Sequence, residues 1–323
     1  MESRSLYYKK KECMQGISRR TIIYKCVMLG LSFLGNNRNW GRAMELGRKL
    51  VILHTNDTHS GLSVADSTRN LSRVDELLVA RHEMIQKIRE EGFPVLLLDS
   101  GDFTGIFPNI LTKEMPPVWK ALQIMGYDAV AFGDGEMAAG KEMFDFHWGK
   151  VGIPLLACNY TPQGTAWEKW VSPYCILNKG NIRIGIIGVG ILLSNCLSET
   201  ISMGIVCDDP IKRVNACVTQ LRNQGCELII CLSHLGDQGT TEKFHDFQLA
   251  QENVGIDIIF GAHSHRLYEQ PRRFINKIGG ITLVNQMGRG GGYLGRMDCF
   301  FPKKGTTKTL KANRLFLEKK IAK

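Results

Sequence analysis

Short apolar runs alternate with helix-like stretches along most of the chain. Continuous apolar runs predict buried strands, and apolar residues three and four positions apart predict helices. Strands are therefore predicted at residues 50–53, 95–99, 128–132, 154–158, 182–189, 227–232 and 256–260. Helices are predicted at residues 71–91, 116–125, 209–224 and 241–253. This alternation is typical of an α/β protein.

The carboxy-terminal part of the chain has a different pattern. From Ile281 onward it is rich in strand-like runs and ends in one at residues 310–317. The alternating part predicts a mostly parallel sheet, and the strand-rich end suggests a second sheet packed against it. No internal repeat, low-complexity linker or change in composition follows residue 50, so we expect a single α/β domain at residues 49–323.

Several predicted strands end in residues that can bind a metal. The first runs into the segment VILHTNDTHSG, in which Asp57 and His59 are two positions apart. In an extended chain, residues two apart point to the same side, so this carboxylate and imidazole can converge on one cation. Ligands commonly bind at the carboxyl ends of strands in open α/β sheets.

Four later strands end in the same way, which makes a chance arrangement of surface loops a weaker explanation. The segments are LLLDSGD with Asp99 and Asp102, AVAFGDGE with Asp134 and Glu136, IICLSH with His234, and IIFGAHSH with His263 and His265. Mixed carboxylate and imidazole ligands favour Mn²⁺, Zn²⁺ or Fe²⁺ over Mg²⁺, although Mg²⁺ and Ca²⁺ stay open.

The motifs HTNDTH, LDSGD, GDGE, LSH and GAHSH, in this order, resemble those of the calcineurin-like metallophosphoesterases. The match is to the catalytic domain of the 5′-nucleotidase branch, over about residues 49–300. The resemblance implies a four-layer αββα sandwich with two divalent metal ions. It implies that Asp57, His59 and His265 hold the first metal, that Asp134, His234 and His263 hold the second, and that Asp102 bridges both.

The third motif departs from the family pattern, which normally reads GNHE. Here Asp134 stands in place of the asparagine ligand, and Gly135 in place of a histidine that assists the reaction. Ala138 replaces the acidic residue that would orient that histidine. Such assistance is typically worth about 10²–10⁴ in rate. We predict that Asp102, Asp134 and Glu136 carry the remaining catalysis, Glu136 being the nearest ionisable alternative.

The leading hypothesis is a metallophosphatase that hydrolyses nucleotides or small phosphate monoesters. The alternative is a metal-binding homologue with weak or no catalysis, acting as a subunit or binding protein. A third hypothesis is a phosphodiesterase or sulfur-ester hydrolase on the same scaffold. The resemblance also predicts that the family's carboxy-terminal nucleotide-binding domain is absent. Either a separate chain would supply it, or the substrate range would be broad.

The amino terminus carries most of the net charge of +10. Residues 1–49 contain 11 of the 41 basic residues and three of the 31 acidic ones, so a general nucleic-acid surface is not indicated. Arg19 and Arg20 lie in SRRTIIYK, which resembles a twin-arginine export motif. The apolar run at residues 27–34 is too short to span a bilayer. We predict a leader at residues 1–48, export to the periplasm or cell envelope, and no stable membrane span in the mature protein.

Other polar and sulfur-containing residues receive structural interpretations. The ten cysteines include no C-x-x-C pair, so zinc binding by cysteine is not supported, while disulfides stay open. His54 is interpreted as a structural residue, and the segment GRGGG at residues 288–292 as a tight turn near the site. Arg266 is a candidate phosphate contact. The remaining histidines, His82, His147 and His245, are predicted to lie on the surface.

Overall fold

A computed structural model describes most of the chain after the predicted leader. The described residues are 48–59, 71–104, 115–138, 141–162, 164, 167–192, 205–239, 243–301 and 308–317, without the side chains of 71–75 and 141–143. Residues 1–47 of the predicted leader, with its arginine pair and apolar run, lie outside them, while Arg48 begins the first strand.

Strands and helices alternate through this part of the chain. The strands are β1 Arg48–Thr55, β2 Val95–Asp99, β3 Ala129–Ala131, β4 Leu155–Leu156, β5 Tyr160–Thr161, β6 Val171–Ser172, β7 Tyr174–Lys179, β8 Ile182–Gly190, β9 Val206–Cys207, β10 Leu228–His234, β11 Ile258–Gly261, β12 Arg272–Ile275, β13 Ile281–Asn285, β14 Tyr293–Phe301 and β15 Thr309–Phe316. The helices are α1 Leu71–Arg89, α2 Pro117–Met125, α3 Asp134–Ala138, α4 Lys141–Val151, α5 Pro210–Asn223 and α6 Asp246–Glu252.

Two mixed sheets form the centre of the fold. The first has the order β15-β14-β1-β2-β3-β4-β6, and the second has the order β12-β13-β11-β10-β8-β7. Strands β1, β2, β3, β4 and β6 are parallel, as are β8, β10, β11 and β13. Strands β5 and β9 form a separate two-stranded sheet.

The alternation of side chains along β1 shows how the layers stack. Leu50 and Ile52 pack in a core shared with Ile184 and Ile230 of the second sheet. Successive side chains of a strand face opposite sides, and the other face of the first sheet packs against α1, α2 and α4. On the far side, α5 and α6 cover the second sheet. The predicted four-layer αββα sandwich is confirmed.

The end of the chain departs from the sequence prediction. We expected the strand-rich end from Ile281 onward to form the second sheet. Strand β13 does lie in the second sheet, but the prediction is wrong for β14 and β15, which return to the first sheet. Strand β14 runs antiparallel to β1, with Leu50 opposite Cys299 and Ile52 opposite Met297. This register places both β14 residues in the core between the sheets. The second sheet instead begins with the hairpin of β7 and β8.

Two local predictions also need correction. Helix α6 begins at Asp246, not at residue 241, because the His245 side chain accepts a hydrogen bond from the backbone N–H of Gln248 and caps the helix. His147 is buried, with 4% of its surface exposed. It lies three residues after the core residue Phe144, on the same face of α4.

No described helix is long and apolar enough to cross a bilayer.

Candidate metal centre

The predicted ligands all lie at or just beyond the carboxyl ends of strands. In the first sheet, β1 is followed by Asp57 and His59, β2 by Asp102 and β3 by Asp134. In the second sheet, β10 ends at His234. Strand β11 is followed by the remaining pair, His263 and His265. Both sheets therefore contribute side chains to one edge of the sandwich.

These seven side chains form three overlapping groups whose potential ligand atoms lie within 4.8 Å of one another. The groups are Asp57, His59 and His265; Asp134, His234 and His263; and Asp57, Asp102 and His234. The first two groups have the composition that the resemblance implied for two separate metals. The third joins them.

Asp102 lies between the two halves of the site. Its Oδ1 is 3.3 Å from Nε2 of His234, and its Oδ2 is 3.7 Å from Nε2 of His59. The two carboxylate oxygens therefore face different histidines. A carboxylate that bridges two cations needs this arrangement.

Left-handed backbone is concentrated at the site. Among the described residues, positive φ occurs at six positions other than glycine, and Asn181 is the one outside the ligand set. The five ligands with φ between 42° and 66° are Asp57, His59, Asp102, His263 and His265. Such conformations cost about 1–3 kcal/mol each and persist where surrounding contacts enforce them. These five residues therefore have strained backbone conformations that orient their side chains toward the candidate site.

Backbone hydrogen bonds hold the strained loops together. The N–H of His59 donates to the Asp102 carbonyl at 2.9 Å, and the N–H of Asp57 donates to the Gly101 carbonyl at 3.0 Å. The N–H of His263 donates to both carboxylate oxygens of Asp57, at 3.0 and 3.1 Å. Loops from both sheets thus fix one another.

Burial and neighbouring charges set the protonation preferences. Burial, followed by the charge of Arg289, lowers the pKa of His265 to about 4. Burial likewise lowers the pKa of His59. Burial opposes the charged form of Asp134, but hydrogen bonds from His234 and His263 hold its pKa well below the usual range. Neutral imidazoles and ionised carboxylates are the forms that bind divalent metals, so the donor set fits such ions.

His234 and Asp57 are the most deeply buried members of the site. Burial alone would lower the pKa of His234, but Asp102 and Asp134 raise it well above its ordinary value. Burial raises the pKa of Asp57 to about 7. A divalent cation beside both groups would favour the neutral imidazole and the ionised carboxylate.

Glu136 lies behind the ligand loops. It is fully buried, and its carboxyl accepts the backbone N–H groups of Asp102, Gly133 and Thr104 at 2.9–3.0 Å. Burial and then the charge of Asp102 raise its pKa to about 8, against the effect of these donors. These contacts position the loops that follow β2 and β3. The catalytic role suggested for Glu136 stays a prediction.

The two glycines of the third motif allow close approach to Asp102. The N–H of Gly135 donates to Asp102 Oδ1 at 2.7 Å. A Cβ added at Gly135 would lie 3.0 Å from that oxygen and 3.1 Å from the Thr104 carbonyl. A Cβ at Gly133 would overlap the Asp102 side chain. The motif therefore supports Asp102 through its backbone.

The GRGGG segment is a turn beside the first ligand loop, as predicted. Gly288, Gly290 and Gly291 have φ of 74°, 78° and 75°, a region in which glycine is favoured. The N–H of Gly290 donates to the Asp57 carbonyl at 2.8 Å. Asn56, which we had not assigned a role, donates to the Gly288 carbonyl at 2.8 Å and to Asp57 Oδ2 at 2.6 Å. Its position directly before Asp57 in the polar segment HTNDTH was the sequence feature that could have indicated this role.

Two residues outside the ligand set were interpreted from sequence. His54 is buried and stacked on Phe260 with ring centroids 3.9 Å apart, and burial lowers its pKa to about 3. It lies outside the three ligand groups, in agreement with a structural role. The Nε of Arg266 lies 3.5 Å from Asp237 Oδ2. A phosphate contact by Arg266 stays a prediction.

Comparisons with known proteins agree with the fold. No family model matches the chain. The 5′-nucleotidase of Bos taurus is 30% identical over 295 residues, covering 84% of this chain and 50% of the relative. The trifunctional nucleotide phosphoesterase YfkN of Bacillus subtilis is 27% identical over 300 residues, covering 82% of this chain and 19% of the relative.

Solved structures show the same architecture. A 5′-nucleotidase precursor from Thermus thermophilus matches with a TM-score of 0.69 and 23% identity, covering 83% of this chain and 54% of that one. The calcineurin-like phosphoesterase YfkN from Bacillus subtilis matches with a TM-score of 0.63 and 20% identity, covering 84% of this chain and 91% of that one.

The αββα sandwich and its seven converging candidate ligands resemble those of the calcineurin-like metallophosphoesterases. The curated relatives match the chain to the 5′-nucleotidase branch of that superfamily. The chain spans about half the length of several curated relatives that it matches, at 49–50% of each. Those relatives are single longer chains and give no support to a nucleoside-binding domain on a separate chain.

Proposed function

We propose that the chain is a metal-dependent phosphoesterase that hydrolyses 5′-nucleotides or similar small phosphate monoesters. The observation that carries this proposal is the convergence of three aspartates and four histidines from both sheets on one edge of the sandwich. The named 5′-nucleotidases among the relatives support the choice of nucleotides. Acidic and imidazole ligands in overlapping groups suit a pair of divalent ions.

The proposed first ion would be held by Asp57, His59 and His265, and the second by Asp134, His234 and His263. Asp102 would be shared, because its two oxygens face the two halves of the site. Ions bound there would supply Lewis-acid stabilisation of phosphoryl charge and a water of lowered pKa.

The protein itself orients these ligands. Nδ1 of His234 lies 2.8 Å from the Ser100 carbonyl, an acceptor that fixes the N–H on Nδ1 and leaves Nε2 free to face Asp102 and Asp134. Such outer contacts fix the tautomer and ring orientation of metal-binding histidines. Asp57 is held by Asn56 and by the backbone of His263. The geometry is thus set largely by the chain.

The third motif favours a second candidate, a metal-binding homologue with weak catalysis. Gly135 offers no side chain, and its N–H is used by Asp102. Ala138 is exposed and carries no acid. The site therefore lacks the family's assisting histidine and its orienting partner. The turnover number of the metal-loaded native chain separates the two candidates.

Phosphate release tests the proposed function directly. The metal-loaded chain should release phosphate from AMP and, more slowly, from p-nitrophenyl phosphate, while bis-p-nitrophenyl phosphate should stay intact. Asp102→Asn should abolish release, because it weakens the shared ligand. Asp209→Asn is the matched control. Asp209 caps the N-terminus of α5 and is not one of the candidate metal ligands, and asparagine caps helices equally well. Cleavage of the diester instead would favour a phosphodiesterase.

We also infer that the mature protein acts outside the cytoplasm. The support is the basic leader with Arg19 and Arg20, together with the name precursor for the Thermus thermophilus relative. Fractionation of producing cells, with the leader intact and altered, tests this inference.

A further inference from the structure

Arg289 stands at the centre of the GRGGG turn, and its backbone is fixed against the candidate metal site. Its neighbour Gly290 donates its N–H to the Asp57 carbonyl at 2.8 Å. On the other side, the N–H of Gly288 donates to the Arg266 carbonyl at 2.8 Å. The position of Arg289 is therefore tied to the loops that carry Asp57 and His265.

The guanidinium of Arg289 has no acidic partner among the described residues. Its Nε is buried without a hydrogen-bond partner. Four other described arginines, by contrast, form ion pairs: Arg48 with Glu227, Arg222 with Asp257, Arg296 with Glu91 and Asp298, and Arg266 with Asp237. Burying part of a cation without a partner is unfavourable. Such a cation is suited to an anionic ligand.

Arg289 brings a positive charge to the first ligand group, because its turn is hydrogen-bonded to the loops that carry Asp57 and His265. Two divalent ions would exceed the three carboxylates of the site by roughly one positive charge, whereas a phosphate monoester carries a charge of about −1.5 to −2. An additional cation at this edge would complement that anion.

We propose that Arg289 is a substrate-binding residue that donates hydrogen bonds to a non-bridging oxygen of the substrate's phosphoryl group. The inference rests on the proposed function, since it assumes a phosphate ester in the same cleft. Arginine suits this role because its planar fork can donate two parallel hydrogen bonds to phosphate. It also assigns the anion-binding charge to Arg289 in preference to Arg266, whose guanidinium faces Asp237.

The test measures binding of inorganic phosphate to the full, metal-loaded chain by calorimetry, without turnover. Arg289→Gln should weaken phosphate binding by about 10- to 100-fold, the usual range for a hydrogen bond to a charged group. Arg289→Lys should recover part of the loss, because the charge returns without the fork. Arg273→Gln is the matched control and should bind phosphate like the native chain, because Arg273 is exposed on β12 at the edge of the second sheet.

Further readouts separate binding from a structural role. Metal content and melting temperature should be unchanged in Arg289→Gln, because no described residue forms an ion pair with this side chain and its Nε has no hydrogen-bond partner. A lower melting temperature, an equal loss in Arg273→Gln, or native phosphate affinity in Arg289→Gln would overturn the inference. So would failure of the native chain to bind phosphate. If the native chain binds phosphate through Arg289 but releases none from AMP, the proposed function fails and the inference stands.

Discussion

Substitution of Glu136 distinguishes loop positioning from participation in catalysis. Its carboxyl accepts three backbone N–H groups, from Asp102, Gly133 and Thr104. An unsatisfied buried donor costs about 1–3 kcal/mol. Glu136→Ala would leave three such donors and would lower the free energy of unfolding by about 3–9 kcal/mol. That is comparable to the whole stability of a typical domain, about 5–15 kcal/mol. Glutamine is therefore the informative change.

In Glu136→Gln, the amide oxygen can keep the N–H groups of Asp102 and Gly133, while the amide NH₂ meets the N–H of Thr104. We expect a loss of about 1–3 kcal/mol in the free energy of unfolding, from that one donor. Urea unfolding at a fixed metal concentration measures it, because bound metal also stabilises the fold. Glu168→Gln is the control, since Glu168 is exposed and accepts one N–H, from Gly164.

The same variant should keep the shape of the pH–rate profile for phosphate release from AMP. A positioning residue alters the height of that profile, whereas a general acid or base sets one of its limbs. If Glu136→Gln unfolds like the native chain but loses a limb of the profile, the positioning argument is refuted. Glu136 would then exchange a proton during the reaction.

Other outcomes can be checked with similar variants. Gly135→His with Ala138→Asp should raise the turnover number by up to about 10²–10⁴ if crowding is tolerated, and Gly135→Ala controls for the close approach to Asp102. Burial holds the pKa of Asp246 well above its ordinary 3.8. The protonated form of Asp246 therefore contributes to the free energy of unfolding. This contribution is fully present below the ordinary pKa of 3.8 and is lost as the pH rises through the folded-state pKa. Asp246→Asn should reduce the loss of stability that urea unfolding detects as the pH rises above 3.8. Arg19→Lys with Arg20→Lys should retain the protein inside producing cells; unchanged secretion would contradict the twin-arginine interpretation.

The ligand set could be predicted because strand ends leave a local signal. Each apolar run stops at a polar motif, and parallel strands bring their carboxyl ends to one edge. Asp57 and His234 were therefore identified from short segments, and the structure places both in the overlapping ligand groups. The two-metal assignment stays a proposal.

Non-local features could not be predicted in this way. The return of β14 to the first sheet depends on pairing with β1, more than 200 residues earlier in the chain. Glu136 accepts the N–H of Asp102 across 34 positions. His147 is buried because of the face that α4 presents to the core. These properties arise from tertiary packing, which overrides local pattern.

Metal stoichiometry tests the central claim most directly. Elemental analysis of the purified chain after equilibration with Mn²⁺ or Zn²⁺ should find two ions per chain, as two ligand groups with a shared Asp102 predict. His59→Ala should lose the first ion and keep the second, and His234→Ala should lose the second. One ion or none in the native chain, or two ions undiminished in both variants, would contradict the account.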